Sequence, residues 1–159
     1  MTQQLFINGV KDDASVREFK DLDAPTQELI NAAIKARIYA YCPYSNFAVG
    51  AAIRTGDGTI YTGCNIENGA YTAGICAERV AAAKAISEGK RDFVACAVVA
   101  QQDGGFTTPC GVCRQFLAEF AAVKDFPLYA AKPTNPPLRV LCTSIGELLP
   151  KSFLFFNEK

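Results

Sequence analysis

The run Phe93-Val94-Ala95-Cys96-Ala97-Val98-Val99-Ala100 limits the fold more than any other stretch of this chain. It carries no charge, it is rich in valine, and it lacks the polar–apolar alternation of a half-solvated strand. Such a run is extended chain that must be covered on both faces. A sheet with helices above and below supplies that cover. At 159 residues, half of them hydrophobic and a fifth charged, the chain is long enough for one domain with a core of that kind.

The flanking periodicities supply the layers. Leu29, Ala32, Ala33, Ala36 and Tyr39 or Ala40 recur at helical spacing after Pro25, with Thr26 as the expected cap and Pro43 as the stop. Phe47, Val49, Ala51 and Ile53 alternate, Gly56-Asp57-Gly58 turns, and Thr59 to Cys64 resumes as a strand, which is a hairpin. Residues 65–74 form a polar loop. Cys76 to Glu88 is a helix closed by Gly89, and Cys110 to Ala122 is a second one with Phe116, Leu117 and Phe120 inward. Pro127 to Ala131 is a short strand. Leu138 to Cys142 is a further strand or a return loop, and Thr143-Ser144 caps a last turn before Pro150. The order predicts an α/β fold, a three-layer α-β-α sandwich around a mixed sheet of about five strands. Residues 1–24 read as an accessory arm, a partly ordered tail or a short surface helix, and 25–159 as the domain.

Lys and Arg number 16, as do Asp and Glu. No broad basic field exists for a nucleic-acid backbone or an anionic membrane, so the expected partner is a small molecule, with no nucleic acid and no membrane. Histidine is absent. That excludes Ser-His-Asp and Cys-His catalysis and every histidine metal site. The seven cysteines are an odd number, no secretory leader is recognisable, and no apolar run reaches about 18 residues. A reducing cytoplasm is the expected setting.

Two short stretches carry the chemistry: Cys76-Ala77-Glu78, and Pro109-Cys110-Gly111-Val112-Cys113. A Cys-x-x-Cys pair grips one ion from a single turn, a third cysteine completes a face, and three protein ligands leave a tetrahedral zinc one open position. Both stretches open predicted helices, where free N–H groups and the helix dipole favour thiolates. Gly111 is assigned to making room beside the sulfurs. Three thiolates outweigh a divalent ion in charge, so a nearby cation is expected. Arg79 lies one turn from Cys76, with Arg114 the second candidate. Glu78 is read as a proton shuttle for a zinc-bound water, the nucleophile of a hydrolytic deamination. On spacing alone a structural zinc site and a redox pair stay open. The structural site requires a fourth ligand from Cys64, Cys96 or Cys142, each in or beside an apolar strand and fit to pack as a small hydrophobe.

The surrounding sequence resembles cytidine deaminase of the homotetrameric, three-cysteine type. The resemblance is carried by Tyr41-Cys42-Pro43-Tyr44-Ser45-Asn46-Phe47-Ala48-Val49-Gly50-Ala51-Ala52, Gly63-Cys64-Asn65-Ile66-Glu67-Asn68, Gly74-Ile75-Cys76-Ala77-Glu78-Arg79, Pro109-Cys110-Gly111-Val112-Cys113-Arg114-Gln115 and Glu147-Leu148-Leu149-Pro150. It implies one zinc per chain on Cys76, Cys110 and Cys113, with Glu78 as the shuttle. It implies ribose contacts from Asn65 and Glu67, chiefly to the 3′-hydroxyl, and Phe47 packed on the pyrimidine. Ala70 and Tyr71 would reach a neighbouring subunit's ligand, and Phe153 would cover the base from another chain, so the active sites of a homotetramer would be shared. The implied reaction is hydrolysis of cytidine and 2′-deoxycytidine to the uridine analogue and ammonia, in pyrimidine salvage. Blasticidin S, a nucleotide or a base in RNA are the rival substrates. Thr72 and Ala73 depart from the proline and large apolar residue frequent in the family at those places. The arm, 1–24, has no assigned counterpart.

Overall fold

The structure, a computed structural model, describes residues 15–134 and 136–155. Most of the arm and Phe156 of the apolar tail lie outside the described residues.

The first helix, α1 (Ala24–Arg37), has its cap three residues before the expected one. Asp23, in extended backbone, accepts the Thr26 N–H at 2.9 Å, and Pro25 occupies the first turn, where an N–H is dispensable. Thr26 itself turns inward and is buried. The hairpin follows as β2 (Val49–Thr55) and β3 (Ile60–Cys64), then α2 (Ala77–Ser87), β4 (Phe93–Ala100), α3 (Gly111–Ala121), β5 (Pro127–Ala131), β6 (Arg139–Ser144) and a last turn, α4 (Ile145–Leu148). Ser144 caps α4, its hydroxyl accepting the Glu147 N–H at 3.1 Å. Leu138 to Cys142 is thus resolved as strand rather than return loop.

One strand exceeds the expectation. β1 (Val16–Glu18) pairs antiparallel with β6, Val16 opposite Leu141, and a 3-10 turn then buries Phe19. Three residues are too few to show alternation, so Val-Arg-Glu gave no strand signal. The six strands run in the order β1-β6-β5-β4-β2-β3, with β4 and β5 parallel and every other pair antiparallel, a mixed sheet.

Alternate residues of the strands feed two cores. Ile53, Cys96, Val98 and Leu128 face α2, α3 and α4, together with Ala81, Ala85 and Leu117. Ala52, Ala97, Val99 and Ala131 face α1, with Leu29, Ile30 and Ala33. The Phe93–Ala100 run therefore serves both layers, as its composition demands, although Val94 at its start is exposed.

Two glycines set how closely the helices lie on the hairpin. A Cβ at Gly50 would stand 2.1 Å from the Ala33 carbonyl oxygen of α1. One at Gly63 would stand 2.4 Å from the Ala77 carbonyl oxygen and 2.6 Å from the Ala81 nitrogen of α2. Only hydrogen fits there, and α2 is thereby pinned to β3 at the residue between Cys76 and Glu78.

The topology then gathers the two cysteine segments. β3 and β4 are both antiparallel to β2, so they run the same way and end together: Gly50 pairs with Cys64, and Val49 with Ala100. The loop after β3 leads to Cys76, and the loop after β4 leads to Cys110. Replacing Gly63 with alanine should cost about 2 kcal/mol through overpacking at the α2–β3 contact. Urea unfolding at fixed protein concentration, compared with the parent, reads this directly.

Candidate metal centre and ligand cavity

Cys76 and Cys110 occupy the N-cap positions of α2 and α3, each in extended backbone. A cap position ordinarily holds an oxygen side chain that bonds the first turn. Neither cysteine makes such a bond, so both sulfurs are left for other work. Cys113 lies on the first turn of α3, fully buried. The three Sγ atoms stand within 4.8 Å of one another, and Cys76 and Cys110 are 3.7 Å apart. Two sulfurs each about 2.3 Å from one tetrahedral zinc lie about 3.8 Å apart, so the spacing fits that ion. Among the described residues no fourth His, Cys, Asp or Glu joins the cluster. Cys96 is buried in β4, while Cys64 and Cys142 are half-buried, each elsewhere. The three sulfurs fit a zinc ion with a fourth position left over, which disfavours the structural four-ligand alternative.

The electrostatics call for a cation. The neighbouring Cys113, with Arg79, holds the Cys76 thiol down, at about 5. Cys113 is correspondingly pushed far up, by Cys76, by burial and by Glu78. Thiolates this close cannot all ionise unless a positive ion lies among them. Arg79 Nη2 reaches Cys76 Sγ at 3.9 Å, as the spacing predicts, and its Nε is buried without a hydrogen-bond partner. Arg114 works differently. Its guanidinium donates to the Pro109 carbonyl, the Leu148 carbonyl and the Thr108 hydroxyl, which ties the loop before Cys110 to α4. A Cβ at Gly111 would meet no atom beyond its chain neighbours within 4 Å.

Glu78 is buried in the first turn of α2. Burial raises its carboxyl to about 7, and the Cys76 charge adds to the rise. A carboxyl near neutrality both takes and gives protons at working pH.

Beside the sulfurs opens a cavity of about 600 Å³, lined among others by Tyr44, Ser45, Asn65, Glu67, Tyr71, Cys76 and Arg79. Asn65 and Glu67 are thus brought to the cluster. Phe47, Ala70 and Phe153 are not part of that lining. Tyr71 is 82% exposed and Phe153 73%, and the Phe153 carbonyl accepts from Gln115 at 2.7 Å.

Both polar residues also hold the chain. Asn65 Oδ1 accepts the Val49 N–H and Nδ2 donates to the Phe47 carbonyl, each at 2.8 Å. Glu67 Oε2 accepts the Tyr44 and Ser45 N–H groups at 2.9 and 3.2 Å, and Oε1 accepts the Ser45 hydroxyl. The Ser45 hydroxyl, followed by those N–H groups, keeps the Glu67 carboxyl below its usual range. Sequence reading missed Ser45 and Tyr44. The available signal was Asn46, a residue that tolerates positive φ and here adopts φ 56, turning the chain so that both face Glu67.

Comparison with known proteins agrees with this geometry. The family model for the cytidine and deoxycytidylate deaminase zinc-binding region matches residues 24–130. A cytidine deaminase of Sporosarcina psychrophila is 50% identical over 127 residues, 80% of this chain and 90% of that protein. One from Halalkalibacterium halodurans is 46% identical over 80% of this chain and 92% of its own length. The crystal structure of cytidine deaminase from Burkholderia pseudomallei superposes with a TM-score of 0.72 at 43% identity, over 79% of this chain and 97% of that one. The chain belongs to the zinc-dependent cytidine deaminase family.

Metal analysis of the purified protein should find about one zinc per chain, the content a single three-sulfur site holds. Cys110→Ala should bring it close to none. Full zinc in that variant would remove Cys110 from the ligand set.

Proposed function

We propose that the protein hydrolyses cytidine and 2′-deoxycytidine, adding water and releasing ammonia to leave uridine and 2′-deoxyuridine, as a step of pyrimidine salvage in the cytoplasm. The observation that carries this reading is a count of free hydrogen-bonding positions beside the sulfur cluster. A carboxylate offers about four acceptor sites, and three on Glu67 are taken. The fourth remains, and Asn65, which lines the same cavity, has a second N–H unused. One acceptor with one donor suits a single hydroxyl, which both gives and receives. A sugar held through one hydroxyl, the 3′, leaves the 2′ position unread, so ribose and deoxyribose are both accepted.

Zinc held by Cys76, Cys110 and Cys113 supplies the Lewis acidity that makes water nucleophilic near neutral pH. Glu78 takes a proton from the attacking water and delivers it to the ring nitrogen, then takes the remaining proton of the hydroxyl added to the ring carbon and gives it to the departing amine. Its burial keeps bulk water from exchanging with those protons. Arg79 draws charge off Cys76, and Phe47 packs on the pyrimidine. The deaminase unit spans 25–159, with 1–24 as an arm. Its described part is clipped to β6.

The same reading makes the assembly a homotetramer. Tyr71, Phe153 and Phe155 are all strongly exposed in the single chain, which supports their burial against neighbouring subunits. In the assembly Ala70, Tyr71 and Phe153 complete neighbouring pockets.

Glu78→Gln should keep its zinc and lose turnover of cytidine by about 10²–10⁴-fold, the usual contribution of a proton-transfer group. An ultraviolet assay against cytidine, deoxycytidine, deoxycytidine monophosphate and blasticidin S reads both the loss and the substrate class. Retained activity would end the shuttle role. Sedimentation alongside that assay should show an active tetramer and no active monomer at micromolar concentration.

A further inference from the structure

We propose that Ser45 is a positioning residue for nucleoside binding: its hydroxyl couples the Glu67 carboxylate to the backbone of Phe47, so that the sugar contact and the Tyr44–Phe47 segment move as one unit. The inference rests on the reading of the cavity as a nucleoside site. The Ser45 hydroxyl donates to Glu67 Oε1 and accepts the Phe47 N–H at 3.0 Å. On the other side of the same residue, the Phe47 carbonyl accepts from Asn65 Nδ2 at 2.8 Å. Phe47 is therefore held at its N–H through Glu67's partner and at its carbonyl by Asn65. Neither end is held by regular secondary structure, since Phe47 precedes β2. The turn that allows this is the one at Asn46, whose φ of 56 places the Ser45 side chain and the Phe47 N–H on one side, closed by Asn46 N–H to the Cys42 carbonyl at 2.9 Å.

The Ser45 hydroxyl has one proton, and Glu67 receives it. That leaves the oxygen free to accept from Phe47, and it leaves Glu67 Oε1 with its one open acceptor site aimed past Ser45. Alanine at 45 removes both links together. Glu67 keeps its two backbone donors but loses the bond that orients Oε1, and the Phe47 N–H is left to water. Threonine keeps the hydroxyl and restores both.

The test compares Ser45→Ala, Ser45→Thr, Phe47→Ala and the Ser45→Ala/Phe47→Ala pair in the zinc-loaded protein. Ser45→Ala should raise KM for cytidine on the order of tenfold, with kcat changed little, the pattern of an interaction made equally in ground and transition states. Ser45→Thr should recover most of it. On the Phe47→Ala background, Ser45→Ala should add much less than it does alone, because the two residues act through one unit. Independent, multiplying effects, or an unchanged KM in Ser45→Ala, would overturn the proposal. Amide exchange at Phe47, read by peptide mass, reports on the link whether or not cytidine is a substrate. It should speed up on the order of tenfold in Ser45→Ala and not in Ser45→Thr, and unchanged exchange would also overturn it. Absence of cytidine turnover in the parent protein would count against the functional reading alone.

Discussion

Two helix N-termini aimed at one point create the constraint on which the rest of the structure depends. Each brings a cysteine to its cap and a partly positive end to the same place, so the sulfurs of Cys76, Cys110 and Cys113 are ionisable there and repel one another if all ionise. A divalent cation resolves the conflict. The helices can meet this way because β3 and β4 run parallel in space without being neighbours, with β2 antiparallel between them. Gly63 lets α2 approach β3 closely enough to hold Ala77 in place, and Arg114 ties the segment before Cys110 to α4. The metal centre is a product of sheet topology before it is a product of side-chain chemistry.

The cavity beside it is built on a different principle. Its polar residues are structural and receptive at once. Asn65 and Glu67 hold the Tyr44–Val49 backbone through bonds that use most, but not all, of their hydrogen-bonding capacity. Residues fixed by several bonds lose little freedom when a ligand arrives, so less of the binding energy goes into ordering them. The same economy explains why a loop, with few apolar contacts of its own, can carry a binding surface.

What was legible in the sequence was local. Phe93–Ala100 declared itself as a buried strand because its composition allows nothing else, and the helices at Cys76 and Cys110 followed from periodicity, the first also from Gly89. Arg79's reach to Cys76 followed from helical spacing. The misses share a cause, which is that they depend on partners distant in the chain. Asp23 takes the cap in place of Thr26 because Thr26 is needed in the core. Gly50 and Gly63 are decisive, and only the approach of a helix marks them out. The partnership of Ser45 with Glu67 spans 22 residues and leaves no periodic trace.

The strand β1 has a consequence for how the molecule is assembled. It is among the first described residues of the chain, yet among those residues its only strand partner is β6, more than a hundred positions on. During synthesis it has nothing to pair with until almost everything else has emerged, and closing so long a loop is entropically unfavourable and slow. A three-residue ladder, the buried Phe19 and the Glu18–Arg139 ion pair are among the contacts that then hold it. So slight a seam, closed over so long a loop, predicts that β1 docks late and lets go early.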